Sequence, residues 1–254
     1  MTDQTLAPTG DEALEGRMEA LLKQAALFRL LALCFTYPQE ERQAQMRQQL
    51  DELRDLSPVE VAEAFETLRE RWSGVDLEAL QALHCRLFQG RNVISLHETS
   101  YGDAQRIGGQ VVELSDINGF YRAFGMQVSD ANPEMPDHLC TELEFYSLLL
   151  VKQAYALDNE WAEEEAVTAD ASRKFLEHHL GRWLAPMLDK VREHGEDSIY
   201  LSCATLLERV IAAECQRQEV VPQPFAGAFP MDEMKADVFT CPMAAKPEGE
   251  APPV

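Results

Sequence analysis

Two short segments of this sequence combine a histidine with a carboxylic acid, the side chains that most often hold metals or exchange protons. His97 is followed by Glu98, which matches the start of the H-E-x-x-H zinc motif, but Tyr101 stands where the second histidine would be. His138 precedes Glu142 by four residues, as in a carboxylate-bridged metal site. Such sites need Glu-x-x-His pairs on two helices, and the sequence has none. We therefore expect no metal site and no cofactor.

The same residues also allow a purely structural interpretation. Asp137 and His138 would stand at the start of a helix, where a carboxylate interacts favourably with the helix dipole, and Glu142 would be the ion-pair partner of His138. His178 and His179 are neighbours in the chain and point about 100° apart on a helix, a poor arrangement for one metal. The sequence has no glycine-rich phosphate-binding loop and no G-x-S-x-G nucleophile motif. These residues alone do not indicate an enzyme.

The charge of the chain excludes one class of partner. Its 254 residues include 44 acidic and 22 basic side chains, which gives a formal net charge of −22. Nucleic-acid binding needs clustered Lys and Arg to replace counterions, so we expect no nucleic-acid partner. The field of such a chain favours a cationic partner or none, and the attraction to such a partner weakens as salt is added.

The sequence also predicts a soluble, cytoplasmic protein with reduced cysteines. Its six cysteines are never closer than twelve positions, so no C-x-x-C motif exists, and we expect them to be core thiols. Residues 1–16 include acidic but no basic side chains, unlike a targeting peptide. The most apolar stretch, residues 25–35, is interrupted by Arg29 and is too short to span a bilayer. We expect no stable membrane association.

Apolar residues recur at helical spacing nearly throughout, which predicts a single all-α bundle of about nine helices. The clearest stripes run over residues 15–37 and 137–157, and residues 160–193 have the pattern of one long or two abutting helices. Two irregular stretches, 91–110 and 129–137, interrupt the pattern. Loops of this length in a helical protein are where recognition residues usually lie.

Three parts of the chain are expected to differ in order. Residues 1–14 are expected to be a disordered segment, residues 15–221 the helical domain, and residues 222–254 a partly irregular tail. Seven of the thirteen prolines lie in that tail. The long connections would allow two chains to exchange helices, so both a monomer and a dimer remain open.

Two blocks of sequence resemble a known family. The run at 136–145, PDHLCTELEF, resembles the P-D-H-[LI]-x-x-E-L-x-F signature of the TorD/DmsD/NarJ family. The block at 96–103, LHETSYGD, lies where that family carries a loop ending in a small polar residue and a tyrosine, and the turn at 119–125 is also similar. The combination is most similar to the branch that serves type II enzymes of the DMSO reductase family. That branch includes the chaperones of ethylbenzene and dimethylsulfide dehydrogenases and of selenate and chlorate reductases.

The resemblance implies an all-helical, cytoplasmic, system-specific chaperone that binds without turnover. Its partner would be the apo catalytic subunit of a molybdenum enzyme, through the twin-arginine signal peptide, the mature part, or both. It would assist insertion of the molybdenum cofactor before assembly or export. A segment with two guanidinium groups beside an apolar stretch would need an apolar groove rimmed by carboxylates. The residues that the resemblance assigns to this groove are His97, Glu98, Ser100, Tyr101, Asp103, Tyr121, Asp137, His138, Glu142 and Phe145.

Three alternatives remain at this stage. One is a NarJ-like assembly chaperone whose client is not exported. A second, from a different class, is a helical metal-dependent hydrolase built on His97, Glu98, Asp137 and His138. The third is a bare adaptor whose loops have no special role, in which alanine substitutions in the 96–103 loop would be silent.

Overall fold

Apolar residues spaced three and four apart form helices along almost the whole chain. The computed structural model describes residues 10–55, 58–89, 94–102, 109–126, 135–195, 198–223 and 225. The helices are α1 (Gly10–Phe35), α2 (Glu40–Glu52), α3 (Val59–Trp72), α4 (Leu77–His84), α5 (Gly109–Ala123), α6 (Leu139–Asp158), α7 (Ala162–Phe175), α8 (Gly181–His194) and α9 (Ile199–Gln218). Shorter elements are two π-helical turns (Cys85–Gln89 and Leu176–Leu180) and a 3₁₀ turn (Glu98–Ser100).

The prediction of an all-α protein is confirmed. Within the described residues no β-strand is present, and the extended backbone is limited to an isolated bridge between His97 and His138. None of the helices in this part of the chain combines the length and the apolar character that a bilayer crossing requires.

The centre of the core is α6, which is buried along most of its length. On one side it packs along α1, where the rings of Phe28 and Tyr146 lie 4.4 Å apart. The hydroxyl of Ser147 on α6 donates to the carbonyl of Ala25 on α1 at 2.8 Å. On another side α6 packs against α7, while α9 packs against α3 and α8. Because each buried large apolar side chain contributes about 1.5–3 kcal/mol, this packing holds the N-terminal end of α6 in a fixed place.

The helix boundaries follow the sequence signals closely, with two differences. The first helix begins at Gly10, before the predicted start at residue 15, and ends at Phe35, before Pro38. The expected start of α6 at Asp137 is wrong by two residues, because His138 is the N-cap of this helix. The His138 Nδ1 atom accepts the backbone N–H of Cys140 at 3.2 Å, which satisfies one of the free donors of the first turn.

The chain from Ala162 to His194 follows one continuous helical path, in agreement with the expected long or abutting helices. The π turn at Leu176–Leu180 joins α7 to α8. Turns of this kind occur often at functional sites because they redirect side chains from the regular helical face. Here the turn carries His179, whose side chain is buried.

After α9 the chain turns back over the bundle. Phe225 donates its backbone N–H to the carbonyl of Arg182 at 3.0 Å, and the Arg182 guanidinium lies 4.1 Å from the centre of the Phe225 ring. The same ring packs against Gly102, which has a φ of +66°. Gly102 is required here, because a Cβ would be strained by the backbone and would collide with the ring.

We predict that Gly102→Ala lowers the free energy of unfolding by roughly 1–3 kcal/mol, since it adds both backbone strain and a steric clash. Gly119→Ala is the matched control, because Gly119 lies within α5 with no atom near its missing Cβ. That control should leave stability unchanged or raise it by about 0.5–1 kcal/mol, as expected when glycine is replaced within a helix. Urea denaturation measures both, and equal stabilities for the two variants would contradict this interpretation.

Candidate functional site

The two blocks that carry the family resemblance meet through a single pair of backbone hydrogen bonds. Glu98 donates its N–H to the carbonyl of Asp137 at 2.9 Å, and Leu139 donates to the carbonyl of Leu96 at 2.8 Å. His97 and His138 therefore lie opposite each other, with ring centres 5.0 Å apart and the planes nearly perpendicular. Segments about forty residues apart in the chain form one site.

The buried side chain of Asp137 stabilises this junction through hydrogen bonds to the 97–99 turn. Its Oδ2 accepts from the hydroxyl of Thr99 at 2.6 Å and from the Thr99 backbone N–H at 3.3 Å, while Oδ1 lies 3.2 Å from Nδ1 of His97. Burial alone would raise the pKa of the Asp137 carboxyl, but the hydrogen bonds from His97 and Thr99 outweigh it and hold that pKa below its usual value. The carboxylate therefore stays ionised and fixes the 97–99 turn.

His138 does not form the expected ion pair with Glu142. Its Nδ1 is engaged as the helix cap, and Glu142 points into the core towards α8. Burial and the neighbouring charge of His97 lower the pKa of His138 to about 4. His138 is therefore neutral at physiological pH and acts as a hydrogen-bond acceptor rather than a cation.

The core beside this junction contains two fully buried carboxyl groups, those of Glu98 and Glu142. Oε2 of Glu142 accepts from the indole N–H of Trp183 at 3.0 Å, whereas Oε1 has no hydrogen-bond partner among the described residues. Burial, followed by the charge of Glu98, raises the pKa of Glu142 well above its ordinary value. Two carboxylates this close in the core cannot both be ionised at low cost unless a proton or a bound cation offsets their charge.

The imidazole of His179 lies between Glu98 of this pair and the exposed side chain of Asp116 on α5. Its Nδ1 lies 3.3 Å from both carboxylate oxygens of Glu98, and its Nε2 lies 3.2 Å from Oδ2 of Asp116. Burial alone would lower the pKa of His179, but the bond to Glu98 and the charges of Glu98, Asp116 and Glu113 raise it. A buried carboxylate thus has an imidazole directly beside it.

The aromatic candidates are packing residues in this structure. Tyr101 stacks on Trp183 with ring centres 5.5 Å apart and donates its hydroxyl to the carbonyl of Ser95 at 2.7 Å. Tyr121 packs on Phe145 at 4.6 Å and donates to the carbonyl of Pro136 at 2.7 Å. All four rings are buried, so they support the two segments of the site from behind.

The expectation of an open groove rimmed by Glu98, Asp137 and Glu142 does not agree with the structure. All three side chains are buried, and each has an internal partner: Thr99 for Asp137, His179 for Glu98 and Trp183 for one oxygen of Glu142. Asp103 lies outside the described residues. Of the other predicted residues, the ones that reach the surface in part are His97, Ser100 and His138.

Several residues of this network were not identified from the sequence: Thr99, Gln110, Glu113, Asp116, His179 and Trp183. Gln110 donates to the Thr99 hydroxyl at 3.1 Å and so joins α5 to the 3₁₀ turn. His179 was set aside because adjacent histidines on a regular helix diverge, and the π turn gave no signal in the sequence. The ligand atoms of the four residues of the hydrolase alternative do not form a metal-binding cluster within the described residues, although His97 lies beside both Asp137 and His138. Asp137 bonds to His97, His138 caps α6 and Glu98 contacts His179.

We predict that Asp137→Ala lowers the free energy of unfolding by roughly 2–3 kcal/mol, because it leaves two Thr99 donors unsatisfied in the core. Asp137→Asn, which retains an acceptor, should lose less. Asp158→Asn is the control, since that side chain is exposed at the C-terminal end of α6. The measurement is chemical denaturation at neutral pH, and wild-type stability in the alanine variant would show that the Asp137 contacts do not hold the junction.

We also predict that His138 makes the protein sensitive to mild acid. Its folded-state pKa of about 4 lies below the ordinary histidine value of 6.5, so the unfolded chain binds more protons between these pH values. The contribution of His138 is therefore complete above pH 6.5 and is lost as the pH falls towards 4. His138→Asn keeps a capping acceptor without titrating, and it should lose roughly 1–2 kcal/mol less than wild type on going from pH 7 to pH 5. Parallel stability curves for the two proteins over that range would contradict this assignment.

Comparison with known proteins agrees with the motifs. The family model described as nitrate reductase delta subunit matches residues 39–189, a stretch that includes both halves of the junction. The perchlorate reductase assembly chaperone protein of Dechloromonas aromatica (strain RCB) is 27% identical over 220 residues, covering 81% of this chain and 94% of that protein. The selenate reductase assembly chaperone protein of Thauera selenatis is 32% identical over 150 residues, covering 58% and 74%.

A third relative is similar in a shorter region. Chaperone protein TorD of Vibrio parahaemolyticus is 33% identical over 84 residues, which cover 33% of this chain and 38% of that protein. The resemblance to the TorD/DmsD/NarJ family, and to the branch that includes selenate and chlorate reductase chaperones, is confirmed. The chain belongs to the nitrate reductase delta subunit family.

Proposed function

We propose that this protein is a system-specific assembly chaperone for the catalytic subunit of a molybdenum-containing reductase. It binds the apo subunit in the cytoplasm and holds it while the molybdenum cofactor is inserted, before assembly or export. One observation carries the proposal. The two motif blocks of the family fold into a single edge, and this edge lies within the region that the family model matches. Relatives matched over most of their length are named as assembly chaperones of perchlorate, selenate and chlorate reductases.

The client-binding surface is the histidine edge, defined here as the partly exposed residues of the junction together with the exposed apolar residues beside them. It consists of His97, Ser100, His138, Met135, Val111 and Val112. The side chain of His97 is 38% exposed, and Met135, immediately before the junction, is 49% exposed. Val111 and Val112 are 71% and 67% exposed, and they follow Gln110, which contacts Thr99. Exposed apolar side chains clustered beside polar groups are typical of a binding surface.

The chemistry of this edge favours binding over turnover. The acid and base groups that a hydrolase would need are occupied: Asp137 by Thr99, His138 by the helix cap and Glu142 by Trp183. The buried residues of the predicted set keep a positioning role, because they fix the backbone on which His97 and Ser100 are presented. The protein therefore acts by binding its client, and the acid and base side chains that a hydrolase would use in catalysis have a structural role.

The acidic character of the chain provides selectivity for a basic leader. The net charge of −22 attracts a segment with two arginines over long range and speeds encounter more than it tightens the final complex. Close to the histidine edge, the described carboxylates with exposed surface include Glu113 and Asp116 on α5. They replace the buried glutamates as the groups that a guanidinium can reach.

The test is calorimetric titration of the protein with the twin-arginine leader of a molybdenum reductase catalytic subunit from the same organism. We expect micromolar or tighter binding, about −8 kcal/mol or better, that weakens with salt and is lost when both arginines are changed to alanine. Binding that is insensitive to the arginine pair would place the contact on the mature subunit, as in a NarJ-like chaperone. No binding to either the leader or the apo subunit would overturn the proposal.

We predict that the double variant Val111→Ser, Val112→Ser binds the client at least about ten-fold more weakly, because it removes apolar contact area from the histidine edge. Val167→Ser is the matched control, a valine that is equally exposed but lies on α7. Both variants should be as stable as wild type, since these side chains face solvent. Equal loss of binding in both, or in neither, would show that the client binds elsewhere.

A further inference from the structure

Three side chains from separate elements converge behind the histidine edge. Glu98 comes from the 3₁₀ turn, Glu113 from α5 and His179 from the π turn between α7 and α8. One ligand atom of each lies within 4.8 Å of the other two. We propose that these three residues form a binding site for a divalent transition-metal ion such as Zn²⁺. This inference concerns a different property from the chaperone role and does not depend on it.

The orientation of His179 suits a metal ligand. Its Nδ1 faces the carboxylate of Glu98 at 3.3 Å, while its Nε2 on the far side of the ring lies 3.2 Å from Asp116. In metal sites a ligating histidine almost always gives its second ring nitrogen to a carboxylate or carbonyl, which fixes the tautomer and strengthens the ligand. Asp116 occupies that outer position here. The π turn is what places the imidazole there, since it carries His179 into the buried side of the helix.

A buried oxygen without a partner gives an independent reason to expect a cation. Oε1 of Glu142 has no hydrogen-bond donor within the part of the chain that the structure describes, and the Glu142 carboxyl borders Glu98 with both side chains fully buried. Burial and the charge of Glu98 also raise the pKa of Glu113. Without an ion, protons on this cluster, including the one that its carboxylates favour on His179, offset the charge, and Zn²⁺ would displace protons as it binds. Arg182 influences Glu113, yet its own side chain is engaged with Gln223 and Phe225.

The donor set indicates the class of ion. One imidazole nitrogen and two carboxylate oxygens match Zn²⁺ or a similar transition metal, whereas Mg²⁺ and Ca²⁺ prefer oxygen ligands alone. A three-ligand protein site leaves a position for water, as in open zinc sites. The ion can enter from the α5 side, where Glu113 is partly exposed and Asp116 is largely exposed. A bound ion would link three elements: the 3₁₀ turn next to His97, helix α5, and the π turn between α7 and α8.

The experiment is titration of the chelator-treated full chain with ZnCl₂, followed by calorimetry and by the thermal unfolding temperature, with MgCl₂ in parallel. We expect one Zn²⁺ per chain, a raised unfolding temperature because the ion binds the folded state, and no comparable effect of Mg²⁺. Glu113→Gln and His179→Gln should each weaken Zn²⁺ binding at least about ten-fold. Glu113 is partly exposed, so its variant should fold normally even if a substitution at buried His179 does not.

Two controls separate this site from general attraction of cations to an acidic surface. His178→Gln changes the neighbouring, exposed histidine, and Glu163→Gln changes an exposed glutamate of α7. Both should bind Zn²⁺ as wild type does. The proposal is overturned if the wild type binds no stoichiometric ion, in which case protons alone neutralise the cluster. It is also overturned if Glu113→Gln binds as tightly as the controls. Leader binding by the chelator-treated protein is measured separately, so failure of one proposal leaves the other standing.

Discussion

The backbone pairing between Leu96–Glu98 and Asp137–Leu139 is the constraint on which the site depends. Only two backbone–backbone hydrogen bonds join these segments, at 2.8 and 2.9 Å, so the junction has none of the cooperative support of a sheet. The junction is stabilised by the side-chain contacts of Asp137 and by the packing of helix α6, which begins directly after it. Asp137 accepts three contacts from the 97–99 turn, and α6 immediately begins a core helix packed on α1 and α7. The loop is therefore as fixed as the helix to which it is joined.

The carboxyl groups of this protein fall into two classes, those exposed at the surface and those buried beside this junction. Among the described residues most carboxylates lie at the surface, and the net charge of −22 gives a long-range negative field. Glu98 and Glu142 instead lie in the core, where Trp183 and His179 partly satisfy them. Buried acids of this kind rarely add net stability, but removing one partner leaves the other uncompensated. The contacts of Glu98 with its buried neighbours therefore hold the 3₁₀ turn in one position. The proposed client-binding surface requires such a fixed turn.

The sequence predicted the helices well because their signals are local. The proline after α1 and the apolar stripe of α6 placed those elements to within a few residues, and the motif blocks identified two segments that the structure pairs. The contacts of Glu98 and Glu142 were not predictable in the same way. Glutamate is normally exposed, and the partners of these two residues lie about 40 to 80 positions further along the chain. His179 was dismissed on the geometry of a regular helix, and nothing local signals a π turn.

The central claim is that a client docks on the histidine edge, and hydrogen–deuterium exchange tests it most directly. The measurement compares the chain alone with the chain bound to the apo catalytic subunit. We expect slower exchange of backbone N–H groups in residues 97–101, 109–113 and 135–138, with no change along residues 162–170 of α7. Protection confined to α7, with residues 97–101 exchanging as in the free protein, would contradict the claim and place the client on another face of the bundle.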